Sequence, residues 1–286
     1  MRLSACIVNW NTRDHLRRCL MSIRESRLSG PTEVVVVDNA SSDRSARMVQ
    51  EEFPDAILIA NEENLYYAAG NNQAIDRAQG DFIALLNPDV ILPPDGLEAL
   101  CRFLESHEDA AAVAPRLILP DGSVQRSVRG FPGPFEVICE ATLLSRLIPH
   151  NRTFARYWLP DFGYDEVRAV AQPMASCLVF RGSVLRDLGG LDPAFPMFFN
   201  DVDLCLRAHQ AGWRVYFSPE VDVQHHHGAS TSQVRRSMVL ASNRGLLRYL
   251  RKHHRPHPLS PGYLAAAAVV HLTGLVKWLL TPPSRR

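Results

Sequence analysis

Short apolar runs that end on polar or acidic residues alternate with helical stripes along the first third of the chain. Leu3 to Val8 is apolar and stops at Asn9-Trp10-Asn11. Beyond Thr12, a fitting N-cap, Leu16, Cys19, Leu20 and Ile23 share one helical face. The pattern then repeats. Glu33 to Val37 runs into Asp38-Asn39-Ala40-Ser41-Ser42-Asp43, and Ala46, Val49 and Phe53 form a second stripe. Ala56 to Ala60 leads through Asn61-Glu62-Glu63-Asn64 to the small-residue segment Ala68-Ala69-Gly70-Asn71-Asn72, which opens a third helix. Strands alternating with helices of this length predict an α/β fold with a mostly parallel central sheet and right-handed crossovers.

The stretch Asp81 to Asp89 is the fourth strand, and the other elements are organised around it. Its apolar run reads as a strand buried on both faces. Pro88 has no N–H to give the ladder, so Asp89 stands just past the carboxyl end. Open α/β sheets bind ligands at that edge. A carboxylate there, with the Asn87 amide two residues earlier, suits a hard divalent cation whose remaining ligands are phosphate oxygens and water. Taken singly, Asp89 reads as well as part of an Asn-Pro-Asp turn, Asp38 as a helix cap and Asn9 as a turn residue. Their convergence on one crevice carries the information. No GxGxxG follows the first strand, and no GxxxxGKS or GxxxxGKT occurs, which disfavours a dinucleotide Rossmann enzyme and a P-loop nucleotidase.

Further on, Pro93-Pro94-Asp95-Gly96 starts a helix carrying Leu97, Leu100 and Leu104. Ala110 to Leu119 predicts a strand closed by a hairpin turn at Pro120-Asp121-Gly122-Ser123. Residues 131 to 168 lose periodicity, with an apolar patch from Val137 to Ile148, and read equally as a mobile flap or as a connection packed on the core. Val170 to Phe180 predicts one strand centred on Ser176 and Cys177. Val202, Cys205, Leu206 and His209 share a helical face closed by Gly212, which sets Asp201 on that helix's first turn, behind the aromatic run Phe195 to Phe199. The helix dipole is expected to keep that carboxylate ionised and ready to take a proton; alternatively, Asn200 caps the helix and Asp201 and Asp203 merely complement its dipole. Trp213 to Phe217 predicts a strand, and His225-His226-His227 follows. Adjacent side chains of an extended segment alternate in direction, so these three imidazoles cannot share one ion.

From Arg235 to Arg255 the chain is basic and helical, and Pro256, Pro258 and Pro261 break it. Tyr263 to Leu280 is mostly apolar, at the lower length limit for a bilayer span and interrupted by His271, Gly274 and Lys277. It reads as an interfacial helix beside a polybasic segment that favours an anionic cytoplasmic leaflet, or as a helix docked on the domain or at a dimer contact. The 286 residues suffice for a sizeable core, and a net charge of +1 gives no field that would recruit nucleic acid. Six cysteines without a CxxC pair read as buried thiols of a reducing compartment. The amino terminus shows no secretion signal, so the expected location is the cytoplasm, at the inner face of the membrane.

The segments Ile7-Val8-Asn9-Trp10-Asn11, Val36-Val37-Asp38-Asn39-Ala40-Ser41-Ser42-Asp43, Gly70-Asn71-Asn72 and Leu86-Asn87-Pro88-Asp89 resemble the successive motifs of family 2 glycosyltransferases. These are the inverting GT-A class, and the likeness is to its rhamnosyltransferase-like branch in particular. The resemblance implies a GT-A fold over residues 1–255, with a nucleotide-sugar-binding half (1–125) and an acceptor and catalytic half (126–255), then an apolar and basic tail (256–286). It implies donor contacts at Val8, Asn9, Asp38, Asn64, Asn72, Asn87 and Pro88, with Asp38 meeting the base and Asn9 the nucleoside. It implies Mg²⁺ or Mn²⁺ at Asp89, where the family has its DxD-type motif. His225, which matches the first histidine of a His-His-Gly-Gly-Ala-Ser segment, would help hold it, and an imidazole in an oxygen-rich shell fits Mn²⁺ somewhat better. The family's general base matches Asp201. The implied reaction is therefore transfer, with inversion, of a sugar such as rhamnose from its deoxythymidine diphosphate ester to a lipid-linked or polysaccharide acceptor in cell-surface glycan synthesis. Two positions depart from the pattern. Tyr66 stands where the family has the glycine of Asn-x-Gly-Phe-Ala, which is expected to reshape the donor pocket, and Asn200 replaces the first of two acids. The rival readings are a nucleotidyltransferase that releases pyrophosphate and a non-catalytic member that binds nucleotide sugar.

Overall fold

The computed structural model describes every residue except Met1, 143–150, Arg152, His227, 229–230, 255–256, 258–259 and 282–286. His227, Ala229 and Ser230 of the histidine run, the prolines at 256 and 258 with Arg255, and the far end of the 137–148 patch thus lie outside the described residues. Four parallel strands, β1 (Leu3–Asn9), β2 (Thr32–Asn39), β3 (Ile57–Asn61) and β4 (Phe82–Leu86), lie in the order β3-β2-β1-β4. The helices α1 (Arg13–Arg24), α2 (Ser45–Glu52) and α3 (Tyr66–Arg77) are their crossovers. All seven residues of β1 are buried because helices cover both faces. Leu3, Ala5 and Ile7 pack with the apolar stripes of α1 and α2, while Cys6 and Val8 pack with Ala68, Ala74 and Ile75 of α3.

Past β4 the sheet becomes mixed. β10 (Cys177–Arg181) lies antiparallel between β4 and β6 (Ala110–Ile118), β11 (Arg214–His225) runs parallel to β6, and both β5 (Val90–Ile91) and β8 (Arg168–Val170) lie antiparallel on β11. Helices α4 (Gly96–Ser106), α5 (Pro134–Ala141) and α6 (Gly182–Asp187) fill in around it. The hairpin expected at 120–123 amounts to one bridge, Ile118↔Val124. The continuous strand expected from Val170 to Phe180 is broken: Gln172–Pro173 forms β9, paired with β7 (Val128–Arg129) in a separate small sheet, and the ladder of β10 begins only at Cys177. The intervening backbone bonds elsewhere, Met174 N–H to Ser127 O and Ser176 O to Asn87 N–H. Those bonds turn 174–176 into a wall beside the ends of the parallel strands. The described part of 131–168 is packed on the core, Phe162 and Tyr164 meeting Phe217 edge-on.

Three helices close the carboxyl-terminal half: α7 (Asn200–Gln210), α8 (Arg235–His253) and α9 (Pro261–Leu280). Phe195, Val202, Tyr249, Leu250, Ala266 and Val270 form their shared core. Gly274 lets α9 approach α8, since an added Cβ would collide with the Asn243 side chain. α9 is long and apolar enough to cross a membrane by length and composition. Only a narrow face of it is docked: Leu272, Leu279 and Leu280 remain 64%, 62% and 79% exposed. All six cysteines are buried and free, and burial pushes the thiols of Cys6, Cys101 and Cys177 up to about 12, which makes them poor nucleophiles.

Candidate active site

The carboxyl ends of β1, β2 and β4 open into a cavity of about 710 Å³. A second groove, of about 830 Å³, runs past Arg27, Glu98 and His107, but no polar strand end reaches it and Glu98 is occupied by Ser29 and Arg102. The chemistry gathers in the first. Its floor on the β1–β2 side is a buried polar lattice across the paired residues Asn9 and Asp38. The Asn9 amide donates to Asp38 Oδ2 at 2.8 Å and accepts from Thr12 Oγ1 at 2.6 Å, while Asp38 Oδ1 accepts from the Ser41 N–H at 2.9 Å. Asp38 is only 2% exposed and is not on the cavity wall; Asn39, the next residue, is. Val8, Asn9, Asn64, Asn87 and Pro88 do line the cavity. Asn72 does not, because both ends of its amide are taken by the backbone of Leu191, donating to O at 2.7 Å and accepting from N–H at 2.9 Å. It clamps α3 to the loop ahead of α7.

Asp89 lines the cavity at the end of β4, nearly buried at 5% exposure. The long strand β11 delivers His225 beside it, because His225 pairs with Val90 of β5 and the His226 N–H donates to the Asp89 carbonyl. The expected alternation is observed. His225 faces inward, whereas His226 lays its ring against His15, with centroids 5.3 Å apart. His225 Nδ1 is 2.7 Å from the Gln125 side-chain oxygen, which fixes the proton on Nδ1 and aims Nε2 at Asp89 Oδ1, 3.4 Å away. That separation is long for a hydrogen bond and suits two ligands of one cation. No group of three or more His, Cys, Asp or Glu able to hold a metal occurs among the described residues. The donor set of one carboxylate and one imidazole facing an open cavity therefore fits an ion that completes its shell from a bound diphosphate and water.

Asp201, which lines the same cavity, sits on the first turn of α7. Its Oδ1 accepts from the Val202 N–H at 2.9 Å and its Oδ2 from the Ala175 N–H at 3.4 Å. The broken strand thus holds the carboxylate. Burial raises its pKa above the ordinary 3.8, and the backbone hydrogen bonds pull it back only in part. This corrects the expectation that the helix dipole dominates: the packed protein around the carboxylate removes more hydration than the helix end replaces. The result is a stronger base. Asn200 is buried and donates to the carbonyls of Phe195 and Met197, a task no carboxylate can perform, so it braces the aromatic turn ahead of α7. Phe199 completes that turn at φ +67°. Asp203, fully buried, faces away from the cavity toward Arg207, Lys252 and His253, and so ties α7 to α8.

Tyr66 keeps a glycine-like backbone, at φ +64°, held by the Asn39 amide on its carbonyl and by Asn64 Oδ1 on its N–H, and its half-exposed ring lines the cavity. Sequence reasoning missed Gln125, Asn39, Arg129 and Tyr157. Of these, Asn39 adjoins a motif and was reachable. Gln125, Arg129 and Tyr157 come from segments without periodicity: the Gln125 N–H bonds the Leu117 carbonyl of β6, Arg129 pairs with Gln172 in the small β7–β9 sheet, and the Gly130 N–H next to it bonds Tyr157 O.

Comparisons with known proteins bear on the family and the fold. Residues 4–163 match the family model described as Glycosyl transferase family 2. The chain is 27% identical over 267 residues to the N-acetylglucosaminyl-diphospho-decaprenol L-rhamnosyltransferase of Mycobacterium tuberculosis, covering 88% of this chain and 85% of that one. Its fold matches a mannosyltransferase of Pyrobaculum calidifontis in complex with GDP-Man and Mn²⁺, with a TM-score of 0.60 and 19% identity over 98% of this chain and 76% of that one. It also matches GalNAc-T7 with UDP, GalNAc and Mn²⁺, at a TM-score of 0.64 and 13% identity over 88% of this chain and 48% of that one.

Proposed function

The chain belongs to glycosyl transferase family 2, as a rhamnosyltransferase-like hexosyltransferase of GT-A fold, and from that premise we propose that it moves rhamnose from its deoxythymidine diphosphate ester onto a lipid-linked or polysaccharide acceptor. The observation that carries this reading is that Asp89, paired with His225, and Asp201, held by Ala175 and Val202, line one cavity. An inverting displacement needs two such poles: a base on the attacking side of the anomeric carbon and charge neutralisation on the leaving side. Asp201 takes the proton of an acceptor hydroxyl as that oxygen attacks, and its raised pKa makes it a better acceptor of that proton. Asp89 and His225 would hold the divalent ion, Mg²⁺ or Mn²⁺, which when bound offsets charge on the departing nucleoside diphosphate. Asn64 and Asn87 offer amide groups to the nucleotide, Asn9 braces Asp38 and Thr12 behind them, and the Tyr66 ring borders the donor.

The acceptor side fits a lipid-linked substrate. Met174, Met197, Phe198 and Met238 give that wall an apolar character. Leu272, Leu275, Val276 and Leu279 form one exposed stripe of α9, close in the chain to the arginines of α8, which suits contact with an anionic membrane surface. The enzyme then works at the cytoplasmic face. The deciding experiment is product analysis with dTDP-rhamnose, Mn²⁺ and a prenyl-diphosphate-linked N-acetylglucosamine. Release of dTDP with a new glycosidic bond of inverted anomeric configuration is expected. Release of pyrophosphate from a nucleoside triphosphate would indicate a nucleotidyltransferase instead, and nucleotide-sugar binding without turnover would indicate a non-catalytic member.

A further inference from the structure

Among the described residues that line the cavity, Arg129 alone carries a full positive charge, and it makes no ion pair with any described carboxylate. It is nevertheless fixed in place. Its guanidinium lies 4.5 Å from the centre of the Trp158 ring, its Nη1 donates to the Val128 carbonyl at 2.8 Å, and the Trp158 indole N–H is itself held by Glu140. A planar cation stacked on an aromatic face keeps its remaining N–H groups in a rigid fork, the geometry that matches phosphate oxygens.

Its place in the fold points to the acceptor and away from the donor. Arg129 pairs with Gln172 across the β7–β9 ladder, and that segment continues to Ala175, whose N–H holds Asp201. The adjoining Gly130 N–H bonds Tyr157 O, and the Tyr157 hydroxyl lies within the electrostatic reach of both Arg129 and Asp201. The segment that carries Arg129 begins at Gln125, against His225, so it runs from the leaving-group pole to the base's side of the cavity. The apolar side chains of Met174 and Phe198 line the same cavity.

We propose that Arg129 is an anion subsite for the acceptor, binding the phosphate or diphosphate group that joins the acceptor sugar to a lipid carrier. The proposal rests on the transferase reading above. It is tested by calorimetric titration of farnesyl diphosphate and of farnesol into the whole chain saturated with dTDP and Mn²⁺, so that the donor's own diphosphate place is filled. The wild type is expected to bind farnesyl diphosphate about ten- to a hundredfold more tightly than farnesol, as a charge-assisted contact would give. Arg129→Met erases that preference and leaves farnesol and dTDP binding unchanged, the latter reporting that the variant is folded. Arg129→Lys retains charge without the fork, Trp158→Leu retains the arginine without its platform, and each gives an intermediate loss; these two carry the test if Arg129→Met does not fold. Equal binding of the two probes by the wild type overturns the proposal. So does an Arg129→Met variant that weakens dTDP and spares farnesyl diphosphate, since Arg129 would then serve the donor. Failure of the wild type to bind dTDP sinks the dTDP-rhamnose reading on which the proposal rests, whereas loss of the Arg129 dependence with dTDP binding intact sinks the proposal alone.

Discussion

Tyr66 holds a left-handed backbone at φ +64° in a position where its ring lines the cavity, so strain and function are separable there by two substitutions. For a residue with a Cβ this conformation costs roughly 1–2 kcal/mol, from the approach of Cβ to the following carbonyl oxygen. Tyr66→Ala and Tyr66→Gly both delete the ring, and they differ only in the Cβ. Glycine relieves that strain and gives back about 0.4–1 kcal/mol through the greater freedom of its unfolded chain. The glycine variant should therefore be more stable than the alanine variant by about 1 kcal/mol, or about 2 °C in Tm for a chain of this size. Denaturant titration of the two proteins side by side measures that difference free of the ring's own packing. Both variants should show the same increase in KM for the nucleotide sugar, because the ring is missing from each. Alanine equal to or better than glycine in stability would refute the left-handed assignment. An unchanged KM would show that the ring does not border the donor.

Three other outcomes are expected. Burial raises the pKa of Asp201 above 3.8, so the protonated and inactive fraction grows at a higher pH than for an ordinary aspartate; kcat/KM should fall on the acid side with one proton's slope through that raised value, and an acid limb at or below 3.8 would contradict it. Gln125→Leu removes the acceptor that orients His225, and Mn²⁺ affinity measured by electron paramagnetic resonance with dTDP present should fall about 10- to 100-fold, close to the effect of His225→Gln; an unchanged affinity would place the metal elsewhere. Leu272→Ser with Leu279→Ser removes two exposed apolar side chains from α9, worth roughly 1.5–3 kcal/mol each when fully buried, so flotation with anionic vesicles should drop sharply while Tm holds.

The first half of the molecule was legible because its signal is local. In β1, β2 and β4, apolar runs and the helical stripes beside them report burial directly, and Asn9, Asn87 and Asp89 fall at strand ends for that reason alone. Asp38 and Asn72 show where such reading stops. Both belong to matched motifs, yet Asp38 gives its carboxylate to Asn9 and Ser41, and Asn72 gives its amide to Leu191. Which polar side chain faces the cavity and which supports its neighbour is decided by partners remote in sequence. The same cause hid Gln125 and Arg129: Arg129 is placed by pairing between 127–129 and 172–174, and Gln125 by the bond of its N–H to the Leu117 carbonyl of β6. That pairing also interrupts the strand expected from Val170 to Phe180, since the 174–176 backbone bonds Ser127, Asp201 and Asn87 in place of a ladder. In the sequence, Asn200 stands only as a replacement for the first of two acids, with the base position kept at Asp201. In the structure its amide meets two carbonyls that an acid at that position would repel.

On the proposed reading, labour is divided within one cavity: Asp201 serves the acceptor hydroxyl, and Asp89 with His225 serves the leaving nucleotide. The most direct test compares sugar transfer with nucleotide binding in Asp201→Asn. Transfer should fall by about 10²- to 10⁴-fold, the usual worth of a positioned base, while affinity for the nucleotide sugar and Mn²⁺ stays within a few-fold of wild type. Transfer near the wild-type rate, or loss of nucleotide binding in step with activity, would contradict the account.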